Sequence, residues 1–197
     1  MSNCKKYGVY KFVDKNDWKT FLSTSMFIDK GEKVVDIGAG GGKVIKLLEK
    51  FHSCKVTALD VENQLNVPIN DYHLFDGKKI PFSNKSFDTV LISYVFHHVD
   101  KKLKENFLLE CKRVAKKKII MHEDVPCNAV DRFLTKLHGW EFKKRTGIQS
   151  EPSFLSIKGF KELFNKLNLT LEHIVKFPRF AREFYYPVKR LMFVLKV

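Results

Sequence analysis

Short apolar runs alternate along the chain with longer segments in which apolar residues recur at helical spacing. The short runs predict buried strands, and the periodic segments predict amphipathic helices. This alternation is typical of an α/β protein with a largely parallel sheet. The strands are predicted at residues 33–39, 55–61, 72–75, 87–93, 118–122, 169–177 and 191–197. The helices are predicted at residues 14–27, 43–51, 101–114, 130–140 and 157–167.

A glycine-rich loop lies between the first predicted strand and the helix that follows it. It reads Asp36-Ile37-Gly38-Ala39-Gly40-Gly41-Gly42. Glycines let a backbone approach a ligand closely, and the start of a helix offers free N–H groups. A dinucleotide fingerprint would need a third glycine at the position of Lys43, and the acid Asp36 suits an ammonium and a sulfonium better than a pyrophosphate. The alternative is a tight turn with no ligand.

Further motifs follow the glycine loop in order. Asp60 ends the second predicted strand, where an acid can accept hydrogen bonds from ribose hydroxyls. The others are Asp76-Gly77, Ile80-Pro81-Phe82, Ser86-Phe87-Asp88 and Tyr94-Val95-Phe96-His97-His98-Val99. With these motifs the sequence resembles the class I S-adenosylmethionine-dependent methyltransferases, in particular the type 11 group of small methyltransferases. The resemblance is strong over residues 30–125 and otherwise one of general layout.

The resemblance implies a class I, Rossmann-like α/β fold. Its sheet would have seven strands in the order 3-2-1-4-5-7-6, mostly parallel with the last strand antiparallel, and helices on both faces. Residues 1–197 would form a single methyltransferase domain, because no linker or repeat interrupts the pattern. Within it we distinguish an N-terminal helical segment (1–30), a cofactor-binding half (31–125) and a substrate-side half (126–197).

The resemblance also implies S-adenosylmethionine as the cofactor and assigns residues to it. Gly38 and Gly40 would lie against its methionine part, while Asp36 would orient the loop or bind the ammonium group. Asp60 would hold the ribose hydroxyls and Asp76 the adenine amino group. The other implied cofactor residues are Ala39, Gly42, Val61, Gly77 and Ser93. Gly77 departs from the alanine that is commoner in the family. The alternatives are a polar strand end for Asp60 and a turn residue for Asp76.

Residues after the fourth and fifth predicted strands are candidates for the acceptor pocket, since ligands of open α/β sheets bind at the carboxyl ends of strands. The candidates are Tyr94, His97 and His98 after the fourth strand, and His122, Glu123 and Asp124 after the fifth, and of these Tyr94, His97, His98 and Glu123 are the predicted catalytic residues. Histidine titrates near neutral pH and can serve as a general base where the acceptor must lose a proton. The alternatives are packing for the paired histidines and helix capping for Glu123.

Several other kinds of site are not indicated. The four cysteines match no zinc or redox spacing, and no cluster of metal ligands stands out, so no metal is expected. No apolar run approaches the roughly 20 residues of a membrane helix. The first residues also lack the apolar region of a secretory signal. These observations predict a cytoplasmic protein without a membrane span.

The chain is strongly basic, and its charge is uneven. The formal net charge is +14, and 22 of the 36 basic residues lie beyond residue 99, with every arginine among them. They cluster in Lys112–Lys118, in Lys143–Arg145 and in Lys176–Arg190, and in the last of these aromatic residues are interleaved. Such a mixture can contact phosphates and stack on bases, which makes RNA or another polyanion a candidate partner. The alternative is a solvated, lysine-rich surface.

The sequence therefore predicts an enzyme that transfers a methyl group from S-adenosylmethionine to an unidentified small-molecule or lipid acceptor. One alternative is an RNA-modifying methyltransferase that uses the basic C-terminal half. Another is a cofactor-binding but inactive accessory subunit.

Overall fold

The computed structural model of the protein describes residues 13–146, 152–177 and 188–197. The helices of this part are α1 (Lys15–Ser25), α2 (Lys43–His52), α3 (Lys104–Val114), α4 (Ala129–Thr146) and α5 (Ile157–Lys166). Its strands are β1 (Lys33–Ile37), β2 (Lys55–Asp60), β3 (Tyr72–Leu74), β4 (Phe87–Ser93), β5 (Ala115–Val125), β6 (Thr170–Lys176) and β7 (Lys189–Lys196). A short 3-10 helix, Phe96–His98, follows β4.

The seven strands form one sheet in the order β3-β2-β1-β4-β5-β7-β6. Strands β1 to β5 pair in parallel, and β7 runs antiparallel to its neighbours β5 and β6. The predicted fold class and strand order are thus confirmed. Parallel strands bring the ends of β1, β2, β4 and β5 to one side of the sheet, which we call the carboxyl edge. Because β7 is antiparallel, its first residues lie at this edge as well.

Helices cover both faces of the sheet. Alternate residues of a strand point to opposite faces, so two separate cores form. Val35 and Ile119 belong to the core that contains side chains of α3 and α5. Val34 and Ile120 belong to the core that contains side chains of α1 and α2. We call the two sides of the sheet the α3 face and the α1 face.

Most predicted elements agree with the structure to within three residues at each end, but α4 and the 3-10 helix do not, and β5 is three residues longer than predicted at both ends. The strand predicted at residues 118–122 extends over Ala115–Val125, and its last residues pair with β7. Helix α4 is also longer than residues 130–140 and reaches Thr146. The 3-10 helix Phe96–His98 was not predicted. The longer β5 matters for function because it carries Glu123 and Asp124 into the sheet.

The described residues offer neither a membrane-spanning helix nor a metal-binding cluster. None of their helices has the length and apolar composition needed to cross a bilayer. Nor does any group of three or more His, Cys, Asp or Glu side chains in this part of the chain have the arrangement that could hold a metal ion. The division of the chain into residues 1–30, 31–125 and 126–197 stays a prediction.

Candidate active site

Two cavities open at the carboxyl edge and meet at Gly38, and each has a volume of about 250 Å³. The first, the loop cavity, lies between the glycine loop, the first turns of α1 and the end of β4. Its lining includes Asn16, Asp17, Thr20, Asp36, Ala39, Gly40, Gly42, Ser93 and Tyr94. The second, the β2 cavity, is lined by residues that include Asp60, Val61, Phe75, Asp76, Gly77, Val95, His98 and Leu103. All ten residues that the sequence resemblance assigned to the cofactor therefore line one cavity or the other.

The glycine loop needs its glycines for two different reasons. Gly38 has φ +74°, and a Cβ there would lie 2.1 Å from Cγ2 of Val95. Gly40 has φ +50°, and a Cβ there would meet only the Gly38 carbonyl oxygen, at 4.0 Å. The first glycine thus permits close packing inside the protein. The second leaves the loop cavity open where a side chain would project.

Asp60 fixes the glycine loop against the end of β2. It is buried, and its Oδ2 accepts a hydrogen bond from the Gly40 N–H at 2.8 Å. Its Oδ1 accepts from the Val61 N–H at 2.7 Å. Asp60 thus joins the loop to the β2 cavity that it also lines. Its contact with ribose hydroxyls stays a prediction.

Asp76 lies at the opposite end of the β2 cavity, in a turn. Its Oδ1 accepts hydrogen bonds from the N–H groups of Lys78 at 2.8 Å and Lys79 at 3.0 Å. These bonds hold the pKa of this exposed carboxyl below its usual value. The turn role is therefore real, and it leaves Asp76 in the cavity lining, where the adenine contact stays a prediction.

Three buried polar atoms on the α1 face have no hydrogen-bond partner within the described residues: Asp36 Oδ1, Ser93 Oγ and His122 Nδ1. They sit on the neighbouring strands β1, β4 and β5, with Ser93 and His122 paired in register. Burial, helped by the charge of Asp60, raises the pKa of Asp36 to about 7. Burial lowers the pKa of His122 to about 3, so its ring is neutral at physiological pH. Buried polar atoms without partners are costly, which makes this group a place where a ligand or water would be stabilised.

Tyr94 stands at the end of β4 in a backbone conformation that is rare outside glycine, with φ +59°. Its N–H donates to the His122 carbonyl oxygen at 2.9 Å, which links β4 to β5 beyond the regular strand. The guanidinium of Arg190 lies 5.2 Å from the centre of the Tyr94 ring. Burial raises the pKa of the phenol to about 12 despite this cation. Tyr94 is therefore a neutral hydroxyl in the wall of the loop cavity.

His97 and Glu123 meet on the α3 face, away from the loop cavity. Glu123 is buried, and its Oε1 accepts from the Phe96 N–H at 2.7 Å. Its Oε2 lies 2.8 Å from Nδ1 of His97, whose ring stacks on Phe154 with a centroid distance of 4.8 Å. Neither residue lines either cavity described above. These contacts match the packing alternative, and a catalytic role for either residue stays a prediction.

His98 differs from its neighbour His97 because it lines the β2 cavity. Of the four candidate catalytic residues, the structure thus brings only Tyr94 to the loop cavity. His98 lines the β2 cavity, where the ribose and adenine are predicted to bind. His97 and Glu123 contact each other, and Glu123 also accepts a hydrogen bond from the 3-10 helix.

Sequence reasoning missed the contribution of α1. Asn16, Asp17 and Thr20 line the loop cavity, and Asp17 pairs with Lys43 of α2 at 3.4 Å. Thr24, one turn further along, places Oγ1 2.9 Å from Nε2 of His122. The apolar periodicity of α1 predicts a helix but not which end of the sheet it covers. The sequence signal that could have indicated a contribution of α1 to the cavity is the run of small polar residues on the side of the helix that faces the sheet.

The basic stretch Lys112–Lys118 is bound into the fold at the amino end of β5, the opposite edge from the cavities. Lys112 Nζ donates to the carbonyl oxygens of Leu167 and Asn168, both at 2.9 Å. Lys117 and Lys118 pair with the buried Glu32 at 3.0 and 3.5 Å. These contacts account for much of the charge without a ligand, and polyanion binding stays a prediction. Most of the stretch Lys176–Arg190 lies outside the described residues.

Comparison with known proteins agrees with this geometry. Residues 35–121, which contain the glycine loop, Asp60, Asp76 and Tyr94, match the sequence model of a family described as a methyltransferase domain. This similarity agrees with the resemblance that the motifs of residues 30–125 carry.

Solved structures share the fold of this chain. An S-adenosylmethionine-dependent methyltransferase from Archaeoglobus fulgidus superposes with a TM-score of 0.73 at 13% identity, covering 99% of this chain and 100% of that one. Another from Mesorhizobium loti gives a TM-score of 0.70 at 16% identity, covering 92% of this chain and 97% of that one. At these identities the likeness concerns the fold alone.

A curated relative offers a likeness in sequence. The sarcosine/dimethylglycine N-methyltransferase of Aphanothece halophytica is 31% identical over a segment that covers 42% of this chain. The matched segment spans 37% of that relative's length.

Proposed function

We propose that the protein transfers a methyl group from S-adenosylmethionine to a small-molecule or lipid acceptor. The observation that carries this proposal is the pair of cavities that meet at Gly38. One holds buried oxygens that have no partner in the part of the chain that the structure describes, and the other lies between two aspartates. The match of residues 35–121 to a methyltransferase family supports the same cofactor.

The residues present fit the two ends of S-adenosylmethionine. In the loop cavity, Asp36 Oδ1 and Ser93 Oγ are buried acceptors without partners among the described residues, which suits an ammonium group. In the β2 cavity, Asp60 and Asp76 supply carboxylates for hydroxyl and amino groups, while Phe75 adds apolar surface for a base. The glycine loop between them leaves room at Gly40 for close approach of the ligand.

When bound, S-adenosylmethionine supplies a methyl group on a sulfonium, which is an excellent leaving group. The protein's task is then to align the acceptor and exclude water. Tyr94 can position an acceptor through a hydroxyl that stays protonated, since burial raises its pKa to about 12. The neutral His122 ring lies next to the Tyr94 ring, with 6.1 Å between the two ring centroids. Tyr94, Thr20 and Arg190 are therefore our candidates for shaping the acceptor pocket.

A small acceptor is favoured by the helix that forms one wall of the loop cavity. The first turns of α1 form one wall of the loop cavity, so a reacting group must fit beneath a helix. The curated relative is named for methylation of sarcosine and dimethylglycine, which are small amines, and this agrees with the proposal. RNA modification and an inactive accessory role remain the alternatives.

Calorimetric titration tests the cofactor. We expect binding of S-adenosylmethionine and S-adenosylhomocysteine but not of NAD. Asp60→Ala should weaken binding by roughly 1.5–3 kcal/mol, because hydroxyls of the ligand lose a charged acceptor. Glu62→Ala, at an exposed acid two residues away, is the matched control and should bind normally. Tight binding of NAD without a response to either adenosyl ligand would overturn the proposal.

Labelled cofactor tests the acceptor. The protein is incubated with methyl-labelled S-adenosylmethionine and a cell extract, which is then separated into small-molecule, lipid, RNA and protein fractions. Label in the first two fractions is the expected result. Label confined to RNA or protein would contradict the acceptor class, and no transfer with normal cofactor binding would support the inactive alternative.

A further inference from the structure

Helix α4 carries four large apolar side chains on the outside of the protein. Val130, Phe133, Leu137 and Trp140 keep 64%, 62%, 49% and 66% of their surface exposed. The spacing of three, four and three residues puts them on one side of the helix in a continuous row. We call this row the α4 stripe.

The side of α4 that faces the protein carries polar residues beside the half-buried Leu134. Asp131 and Thr135 are buried, and Asp131 Oδ2 accepts from the Cys127 N–H at 2.8 Å. The Asp131 N–H donates to Oδ1 of Asn128 at 2.7 Å. A surface helix that contributes to a core normally shows the reverse polarity. The apolar side of α4 is therefore suited to a surface outside the protein.

Cations flank the α4 stripe. Among the side chains of α4 that the structure describes as exposed, the charged ones are Arg132, Lys136 and Lys144. Lys144 Nζ lies 5.6 Å from the centre of the Trp140 ring. The whole chain has a formal net charge of +14. A surface that meets the stripe must therefore combine hydrocarbon with negative charge.

Two other occupants fit these observations less well. RNA supplies the negative charge, but the aliphatic Val130 and Leu137 can neither stack on bases nor hydrogen-bond to them. A second copy of the chain would bring like-charged flanks together.

We propose that α4 is an interfacial helix that docks the protein on an anionic phospholipid bilayer. The α4 stripe enters the boundary between headgroups and acyl chains, and Arg132, Lys136 and Lys144 contact the headgroup phosphates. Helix α4 begins four residues after the last residue of β5, at the carboxyl edge that holds both cavities. Docking therefore keeps this edge near the membrane, whatever the acceptor is.

Vesicle binding tests the proposal without any assay of activity. The full chain is sedimented with vesicles of phosphatidylcholine alone or with phosphatidylglycerol added. We expect binding to the anionic vesicles and at least about tenfold less to the neutral ones. The chain has two tryptophans, so Trp18→Phe leaves Trp140 as the single reporter. Its emission should shift to shorter wavelength and be quenched by brominated acyl chains.

Matched variants separate the stripe from general stickiness and charge. Phe133→Ser with Leu137→Ser should lower vesicle binding about tenfold or more. The control, Leu22→Ser with Leu109→Ser, removes two exposed leucines from α1 and α3 and should bind normally.

A second pair of double variants tests the contribution of the α4 cations in the same way. Arg132→Gln with Lys136→Gln should weaken binding to anionic vesicles, while Lys30→Gln with Lys158→Gln, at exposed lysines elsewhere, should weaken it much less.

Several outcomes would overturn the docking role. They are equal binding by the stripe variant and its leucine control, binding without a change in Trp140 emission, and stronger retention on RNA than on vesicles. A dimer that dissociates on Leu137→Ser would assign the stripe to a second copy instead. Vesicle binding and cofactor binding are measured separately. If the protein binds the cofactor but no vesicles, the docking role is wrong and the proposed methyl transfer still stands.

Discussion

Asp36 shows how a single buried carboxyl links stability to ligand binding. It is almost completely buried on β1, and its Oδ1 has no partner among the described residues. Burial and the nearby Asp60 raise its pKa from 3.8 to about 7. The loop cavity therefore contains a carboxyl group whose ionised form is disfavoured by burial and by a neighbouring charge. A ligand ammonium beside this carboxyl would stabilise the carboxylate form and lower the pKa of Asp36 again.

We expect Asp36→Asn to change how stability depends on pH in the cofactor-free protein. Between pH 3.8 and about 7 the folded state holds a proton that the unfolded chain has released, so the free energy of unfolding falls as the pH rises through this range. Asn cannot ionise, so the variant lacks this loss. Relative to wild type it should gain roughly 3 kcal/mol between pH 4.5 and pH 8 in urea unfolding. Glu62→Gln is the exposed control, and an equal difference at both pH values would contradict the assignment.

Gly38→Ala tests the close packing of the glycine loop. The new Cβ would lie 2.1 Å from Val95 and would also occupy a backbone with φ +74°. We expect a loss of roughly 2–4 kcal/mol in urea unfolding, part from strain and part from the clash. Gly31→Ala is a matched control because Gly31 has φ +82° with nothing within 4 Å of its Cβ, so it carries strain alone. Equal losses for both variants would show that packing against Val95 is unimportant.

The cofactor residues could be predicted from the sequence because their signal is local. Gly38, Asp60 and Asp76 each lie within a few residues of a strand end, and the strands themselves are apolar runs. Thr20 could not be found in this way. Its place in the loop cavity depends on how α1 crosses the sheet, which is set by packing between segments far apart in sequence.

The 3-10 helix after β4 is the element on which the catalytic interpretation of Glu123 depends. Glu123 accepts from the N–H of Phe96 and contacts His97, while buried Lys104 donates to the carbonyl oxygen of Phe96. The Glu123 charge helps to keep Lys104 protonated, although burial lowers the lysine pKa to about 8. Val95 and His98, at either side of these contacts, line the β2 cavity. Glu123 is thus placed to position a cavity wall.

Glu123→Ala and Glu123→Gln distinguish positioning from catalysis. Alanine leaves the buried Phe96 N–H without an acceptor, and we expect a loss of roughly 1–3 kcal/mol in unfolding together with weaker cofactor binding. Glutamine keeps a carbonyl acceptor and should retain most of both. Glu105→Ala, at a partly exposed acid on α3, is the control. If both Glu123 variants instead keep stability and cofactor affinity but lose turnover, the catalytic hypothesis is right.

Strand β5 shows why the ends of elements were harder to predict than their centres. Its middle, Ile119–Met121, is apolar and was predicted, but Lys116 and Asp124 look like loop residues by composition. Asp124 is held in the sheet by pairing with Arg190 of β7, in register and through an ion pair of 3.1 Å. Because these partners are 66 residues apart, no local pattern could indicate the extension.

At the scale of the whole molecule, positive charge is distributed between fold and surface. The lysines of 112–118 largely bond to carbonyl oxygens and to Glu32 at the amino end of β5. The cations of α4 are exposed beside apolar side chains. The arginines of residues 176–190 other than Arg190 lie outside the described residues. The net charge alone therefore says little about a partner. The positions of the exposed cations determine which charged ligand could bind.

Binding to RNA should reveal whether the C-terminal arginines act together as a phosphate-binding surface. The motivation is that 22 of the 36 basic residues and every arginine lie beyond residue 99. If phosphates are bound, affinity for a generic single-stranded RNA should fall steeply between about 50 and 200 mM salt, since each neutralised phosphate releases counterions. Arg179→Glu with Arg182→Glu should then reduce both the affinity and the salt dependence, measured by fluorescence anisotropy, without changing cofactor binding.

The matched control for this pair is Lys30→Glu with Lys85→Glu, which changes the net charge by the same amount at two exposed sites in the less basic half. Attraction through net charge alone predicts equal losses for the two double variants, because the long-range field depends on total charge. A localised surface predicts a clear loss for the arginine pair and a small one for the lysine pair. Equal losses, or no RNA binding at low salt, would return these arginines to a solvated surface and strengthen the case for a small or lipid acceptor.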